Sequence, residues 1–262
     1  MDKKKIIILI FIIIYFFLRN NIDNIYFRLV SFLVHKKNCA YQMKNIEEEL
    51  FKIEKLTNNI FINKGNSTDV IIFIHGTLTS ELSLKNKINK LRSVYNGDII
   101  YTMIEGYGCN VEKITNVTES IQETYNCIDY VKKLNKYKTI NLYGHSLGGF
   151  MAIATAVKYN IYYINNIYLQ STLASLFECK LPILTELLIL FLKEDELDLY
   201  TLLHSIKCKK LFILHSKDDN LISFDHAMKN SKIKNDYIET IKLIEISGKH
   251  MGKFEPGFKL PT

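Results

Sequence analysis

Residues 139–151, TINLYGHSLGGFM, constrain this chain more than any other stretch. The apolar run 139–143 predicts a short buried strand, and 150–158 has helix-forming composition. Between them lies Gly144-His145-Ser146-Leu147-Gly148, a G-x-S-x-G pentapeptide set between a strand and a helix, which is the setting that gives the pattern chemical meaning. So tight a turn holds its central serine in strained backbone, and side chains on the flanking residues would collide with the strand or helix they join. Glycine at 144 and 148 removes that collision. The turn lifts the Ser146 hydroxyl clear of the sheet, at the start of a helix whose dipole favours developing negative charge. The Leu147 N–H lies beside that charge and is a candidate oxyanion donor.

Around this stretch, strands and helices alternate. Residues 70–74 (VIIFI) predict a fully apolar strand leading into His75-Gly76-Thr77-Leu78, and 99–104 predict the next strand. A helix is predicted over 118–134, where Ile121, Tyr125, Ile128 and Val131 recur at helical spacing. Past the serine, 164–169, 210–215 and 237–246 read as strands, and 182–192, 195–206 and 224–231 as helices. Upstream, 40–56 has the spacing of an amphipathic helix and 59–63 that of a short strand. This alternation predicts a parallel sheet with helices on both faces, in one domain over 38–262.

The first 37 residues differ in kind. Lys3, Lys4 and Lys5 precede the apolar run 6–18, closed by Arg19, and a second apolar stretch, 25–34, ends at His35-Lys36-Lys37. Residues 19–23 (RNNID) offer no small-residue cleavage site. The run 6–18 is shorter than the ~20 residues that span a bilayer, a deficit that snorkelling lysine and arginine side chains reduce. Residues 1–37 are therefore read as an uncleaved, single-pass membrane anchor, with a cleaved signal peptide and a buried helix as the alternatives. Basic residues on both sides leave the orientation open.

The net charge of +7 would fit nucleic acid or an anionic surface. However, the lysines are scattered without an aromatic-interleaved basic stripe, and the wealth of Ile, Asn, Lys and Tyr with no Trp is the imprint of AT-rich codons. No nucleic-acid partner is read from it. The 5 cysteines are an odd number with no CxxC pair, which speaks against a disulfide framework and a zinc site. No metal or cofactor is implied, and the sequence is silent on oligomeric state.

The serine turn, the strand–His-Gly-x loop and a late Asp-rich turn together resemble the α/β-hydrolase superfamily over roughly residues 60–255. The resemblance implies an α/β-hydrolase fold, with a mostly parallel central sheet, helices on both faces, and a small lid or none, since 170–206 leave room only for a short helical cover. It also implies Ser146 as nucleophile, followed in chain order by an acid and a histidine base. His250, in a Gly-Lys-His-Met-Gly loop after the last strand, is the base, ahead of His145, His204 and His226. Asp218 and Asp219 compete for the acid. The family turn HGxxD-x-x-V-P, anchored here by His215 and Ile222, selects Asp219. The backbone N–H of Thr77 would be the second oxyanion donor beside Leu147, and His75 a structural residue.

Within the superfamily, residues 170–176 (QSTLASL), the Gly106-Tyr107-Gly108 turn and residues 218–222 resemble a lid-poor, N-terminally membrane-associated subgroup that includes the protein depalmitoylases. The chain differs from it in having His145 before the serine, Thr77 in place of an asparagine-containing loop, and only a short tail after His250. The expected function is a serine hydrolase cleaving ester or thioester bonds of lipid-like acyl substrates at a membrane. The alternatives are a protein-depalmitoylating thioesterase and a non-catalytic binding or scaffold protein on the same fold.

Overall fold

The computed structural model describes residues 53–57, 59–76, 81–104, 117–175 and 198–262. The expected anchor 1–37, Thr77, the turn at 106–108 and the expected helix 182–192 lie outside the described residues. Among those described, no helix is long and apolar enough to cross a membrane.

In chain order the elements are β1 (Ile53–Lys55), β2 (Ile60–Asn63), β3 (Asp69–Ile74), α1 (Glu81–Val94), β4 (Asp98–Thr102), α2 (Val117–Lys133) and β5 (Thr139–His145). Then follow α3 (Leu147–Lys158), β6 (Asn166–Gln170), α4 (Leu199–Leu203), β7 (Cys208–His215), α5 (Phe224–Ser231) and β8 (Ile238–Glu245). The strands form one sheet in the order β1-β2-β4-β3-β5-β6-β7-β8. β2 is antiparallel to both β1 and β4, and every other pairing is parallel.

The central strands are apolar throughout because both of their faces are covered. On one face Val70, Ile72, Ile74, Leu142, Ile167, Leu169 and Ile213 pack with buried residues of α2, α3, α4 and α5. Their alternates, Ile71, Phe73, Tyr143, Tyr168, Phe212 and Leu214, pack against Leu84, Ile88 and Leu91 of α1 and against Leu260 near the chain's end. Here an aromatic file, Phe73–Tyr143–Tyr168–Phe212, crosses four neighbouring strands with ring centroids 5.8, 5.8 and 5.2 Å apart. Each aliphatic side chain so buried contributes about 1.5–3 kcal/mol. α2 and α3 are each followed closely by an asparagine in left-handed backbone, Asn135 (φ 48°) and Asn160 (φ 49°), which ends helical hydrogen bonding.

The structure departs from the sequence reading in two places. Residues 53–55, expected in the helix 40–56, form β1 instead, because pairing with β2 satisfies backbone groups that a helix end would leave open. α1 was not anticipated. No helix follows His250, as the short tail after it implied. The tail runs as coil across the second face, where Leu260 N–H donates to the Val94 carbonyl (3.1 Å) and the Tyr168 hydroxyl to the Pro261 carbonyl (2.6 Å). Phe254 and Phe258 stack there at 5.1 Å. The buried thiols of Cys127 and Cys208 are free, and burial pushes both up to about 12.

Candidate active site

β5 delivers Ser146 to the carboxyl edge of the sheet, where the ends of parallel strands expose side chains to a common cleft. Ser146 adopts φ 57° and ψ −126°, the strained backbone expected of a serine at the tip of this turn. Its N–H donates to the Gln170 carbonyl (2.9 Å), and its own carbonyl accepts from Gly149 N–H (3.0 Å). Crowding fixes the glycines. A Cβ on Gly148 would sit 2.1 Å from the carbonyl oxygen of Ile74, and one on Gly76 would sit 3.0 Å from the Ser146 Cβ. The loop after β3 therefore runs past Ser146. Leu147 opens α3, so its N–H belongs to the first turn, whose donors have no partner within the helix. Thr77, the other expected donor, lies outside the described residues.

The Ser146 hydroxyl meets His250 Nε2 at 3.0 Å. The opposite ring nitrogen, Nδ1, lies 2.9 and 3.1 Å from the two oxygens of Asp219. The proton on Nδ1 therefore faces the carboxylate, and Nε2 presents its lone pair to the hydroxyl. Asp219 follows β7, and its side chain is fully buried while that of His250 is 14% exposed. Burial alone would raise the Asp219 carboxyl. Hydrogen bonds from His215, His250 and the N–H groups of Ile222 (3.0 Å) and Leu221 (2.9 Å) outweigh it and hold the group well below the usual carboxylate range. Asp218 points away into solvent and lines a separate cleft with Lys217, Glu245 and Lys253.

The remaining histidines sort themselves by their bonds. His75 is buried, bonds the Gly76 carbonyl through Nδ1 (2.9 Å) and accepts Ile104 N–H at Nε2 (3.2 Å), and burial lowers it to about 4. It holds the loop after β3 to the end of β4. His204 bonds the Tyr200 carbonyl, and His226 accepts the Ala174 N–H. His215 bonds the Ile222 carbonyl (2.9 Å) and lies 3.4 Å from Asp219. Neither His204 nor His226 bonds Ser146 or Asp219.

Three supporting residues escaped the sequence reading. His145 does not touch the serine hydroxyl, but its Nε2 is 3.2 Å from the backbone carbonyl of His250 and its Nδ1 is 3.0 Å from Lys87 Nζ. Gln170 accepts from the Tyr143 hydroxyl (2.6 Å) and donates to the Met251 carbonyl (3.3 Å). The polar Gln170 at the end of an apolar strand was the visible signal for its role. Lys87 gave none, since only α1 brings it here.

No protein-family model matches the chain, and no curated protein matches it. Solved structures do. Est1E from Butyrivibrio proteoclasticus, determined with ferulic acid bound, is similar over 74% of this chain and 87% of its own, with a TM-score of 0.55 at 16% identity. The Pyrococcus furiosus esterase Pf2001 is similar over 73% and 78%, with a TM-score of 0.53 at 20% identity. A lipase-esterase related protein from Clostridium acetobutylicum is similar over 76% and 93%, with a TM-score of 0.54 at 19% identity. The chain has the α/β-hydrolase fold.

Proposed function

We propose that this protein is a serine hydrolase that cleaves ester or thioester bonds of acyl substrates. The observation that carries the reading is the unbroken chain from the Ser146 hydroxyl through both nitrogens of His250 to Asp219. A serine hydroxyl is a weak nucleophile, and a base held in one tautomer by a buried anion is what activates it. His250 Nε2 takes the hydroxyl proton as Oγ bonds to the acyl carbon. The carbonyl oxygen becomes an oxyanion held by the N–H groups of Leu147 and Thr77. His250 passes its proton to the departing alcohol or thiol as that bond breaks, leaving an acyl-enzyme. A water then gives a proton to His250 and attacks the acyl carbon, and collapse returns the proton to Ser146 and frees the acid.

Neighbours named as esterases support this reaction class. The apolar segment 1–37, as a membrane anchor, would hold the domain near lipid, and that placement favours lipid-like acyl chains, including those on membrane-attached proteins as in the depalmitoylase subgroup. The test has two arms. A fluorophosphonate probe should label wild type and not Ser146→Ala; equal labelling of both would remove Ser146 as the nucleophile. On p-nitrophenyl esters, kcat/KM should rise from acetate to medium chains at about 0.8 kcal/mol per buried methylene. A series falling steadily from acetate onward would remove the lipid-like substrate and leave the reaction class.

A further inference from the structure

We infer that Lys87 and His145 form a positioning relay that fixes the backbone of His250, and with it the distance between the base and Ser146. The inference rests on the hydrolase reading above for its catalytic meaning, though not for its geometry.

Lys87 Nζ lies 3.0 Å from His145 Nδ1, and His145 Nε2 lies 3.2 Å from the His250 carbonyl oxygen. A lysine ammonium only donates, so Nδ1 must accept. A carbonyl only accepts, so Nε2 must carry the proton. One tautomer of neutral His145 satisfies both contacts, and the other would aim a lone pair at the carbonyl. Lys87 thereby reinforces the tautomer whose Nε2–H holds the loop of the base. The ring is kept neutral by burial first, and then by the positive charge of Lys87, which together lower its pKa well below the usual value.

Lys87 is half-buried, with its ammonium against the neutral ring of His145. Among the described residues no carboxylate pairs with it, and burial lowers its ammonium to about 8. An ammonium in such a place is costly to the fold, and so its removal should not unfold the protein. The histidine sits immediately before the nucleophile in sequence and 105 positions before the carbonyl it binds. Nucleophile and base are therefore tied through one ring, whose edge lies against the imidazole of His250 at 5.2 Å between centroids.

The relay is tested on the full chain in two independent ways. In 15N-detected spectra of the histidine rings, with His145 assigned by its loss in His145→Gln, wild type should show a protonated Nε2 and a bare Nδ1. Lys87→Met should shift that ring toward a mixture of tautomers. A wild-type ring protonated on Nδ1, or unchanged in Lys87→Met, overturns the relay whether or not the protein hydrolyses esters. Kinetics give the second test. A misplacement of the base on the order of 1 Å costs up to about a hundredfold, so Lys87→Met should lower kcat about tenfold and His145→Leu more, with KM little changed. His145→Gln keeps a donor to the carbonyl and an acceptor for Lys87, and should rescue most of kcat. In that background Lys87→Met should cost nothing further, because an amide rotates where an imidazole must choose a tautomer. Equal losses in both backgrounds, or a loss that appears only in Tm or KM, refute the positioning role. Failure of wild type to react with the fluorophosphonate sinks the hydrolase reading alone, and the ring spectra still decide the relay.

Discussion

Replacing Asp219 with asparagine removes a charge and almost no volume, which makes it a sharp test of the site. Asp219 Oδ1 accepts from Leu221 and Ile222 N–H at 2.9 and 3.0 Å, so the new amide must keep its oxygen there. Its NH2 then replaces Oδ2, the atom 2.9 Å from His250 Nδ1 and 3.4 Å from His215 Nε2. His250 can meet an NH2 group only by turning Nδ1 into an acceptor, which moves its proton to Nε2. Ser146 would then face a donor where the base had been. In Ser-His-Asp triads this exchange lowers kcat about 10⁴-fold, or about 5 kcal/mol of barrier. His215 retains its bond to the Ile222 carbonyl and need not move, so we expect a loss of about 10³–10⁴ here as well. Asp218→Asn, on an exposed residue, should remain within about twofold of wild type. The assay is kcat on a p-nitrophenyl acyl ester, with circular dichroism confirming the fold of each variant. Asp219→Asn retaining more than about a tenth of kcat, or Asp218→Asn being the crippled variant, would refute the argument. Stability supplies a second reading. The folded carboxyl titrates below its unfolded value of about 3.9, so the unfolded state binds more protons in acid and stability falls as pH drops below about 4. Wild type should therefore be more stable than Asp219→Asn at neutral pH, and the two should converge in acid.

Gly148→Ala would place a methyl 2.1 Å from the Ile74 carbonyl oxygen, a backbone atom that cannot rotate aside; we expect a loss of about 3 kcal/mol or more in chemical denaturation and no probe labelling. Arg92 joins α1 to the amino edge of the sheet through Asn63 Oδ1 (2.6 Å), the Asn63 carbonyl (2.6 Å) and the Gly97 carbonyl (2.7 Å). Arg92→Ala should cost about 2 kcal/mol, seen as a Tm about 4–8 °C lower, with kcat unchanged because the serine lies at the opposite edge. The full chain should stay in the membrane fraction through alkaline carbonate washing, and removal of residues 1–37 should release it; a mature N-terminus found between residues 20 and 40 would mean secretion instead.

The serine turn and the strands around it were legible because their constraints are local. G-x-S-x-G needs only its flanking strand and helix, and VIIFI can hardly be anything but buried. The choice of Asp219 over Asp218 rested on a turn anchored by His215 and Ile222, and those anchors are the residues now seen to bond each other. α1 shows what was missed. Leu84, Ile88 and Leu91 recur at helical spacing, but the intervening Asn and Lys dilute the signal, and only tertiary packing against Phe73 and Tyr143 settles it. β1 was lost to a similar ambiguity, since three residues satisfy a helical and an extended pattern equally well. Lys87 and His145 could not have been paired from sequence at all. They are 58 positions apart, and their contact exists only because α1 packs over β3 and β5.

The backbone of Ser146, at φ 57° and ψ −126°, has a consequence for anyone who evolves this protein. A non-glycine residue held there stores on the order of 1–3 kcal/mol of strain, and glycine adopts such angles without it. Ser146→Gly should thus stabilise the fold while removing the hydroxyl on which the proposed hydrolysis depends. A mutant library ranked by heat resistance alone will enrich inactive molecules at this position, and heat-resistant survivors will retain the hydroxyl only if turnover is selected in the same round.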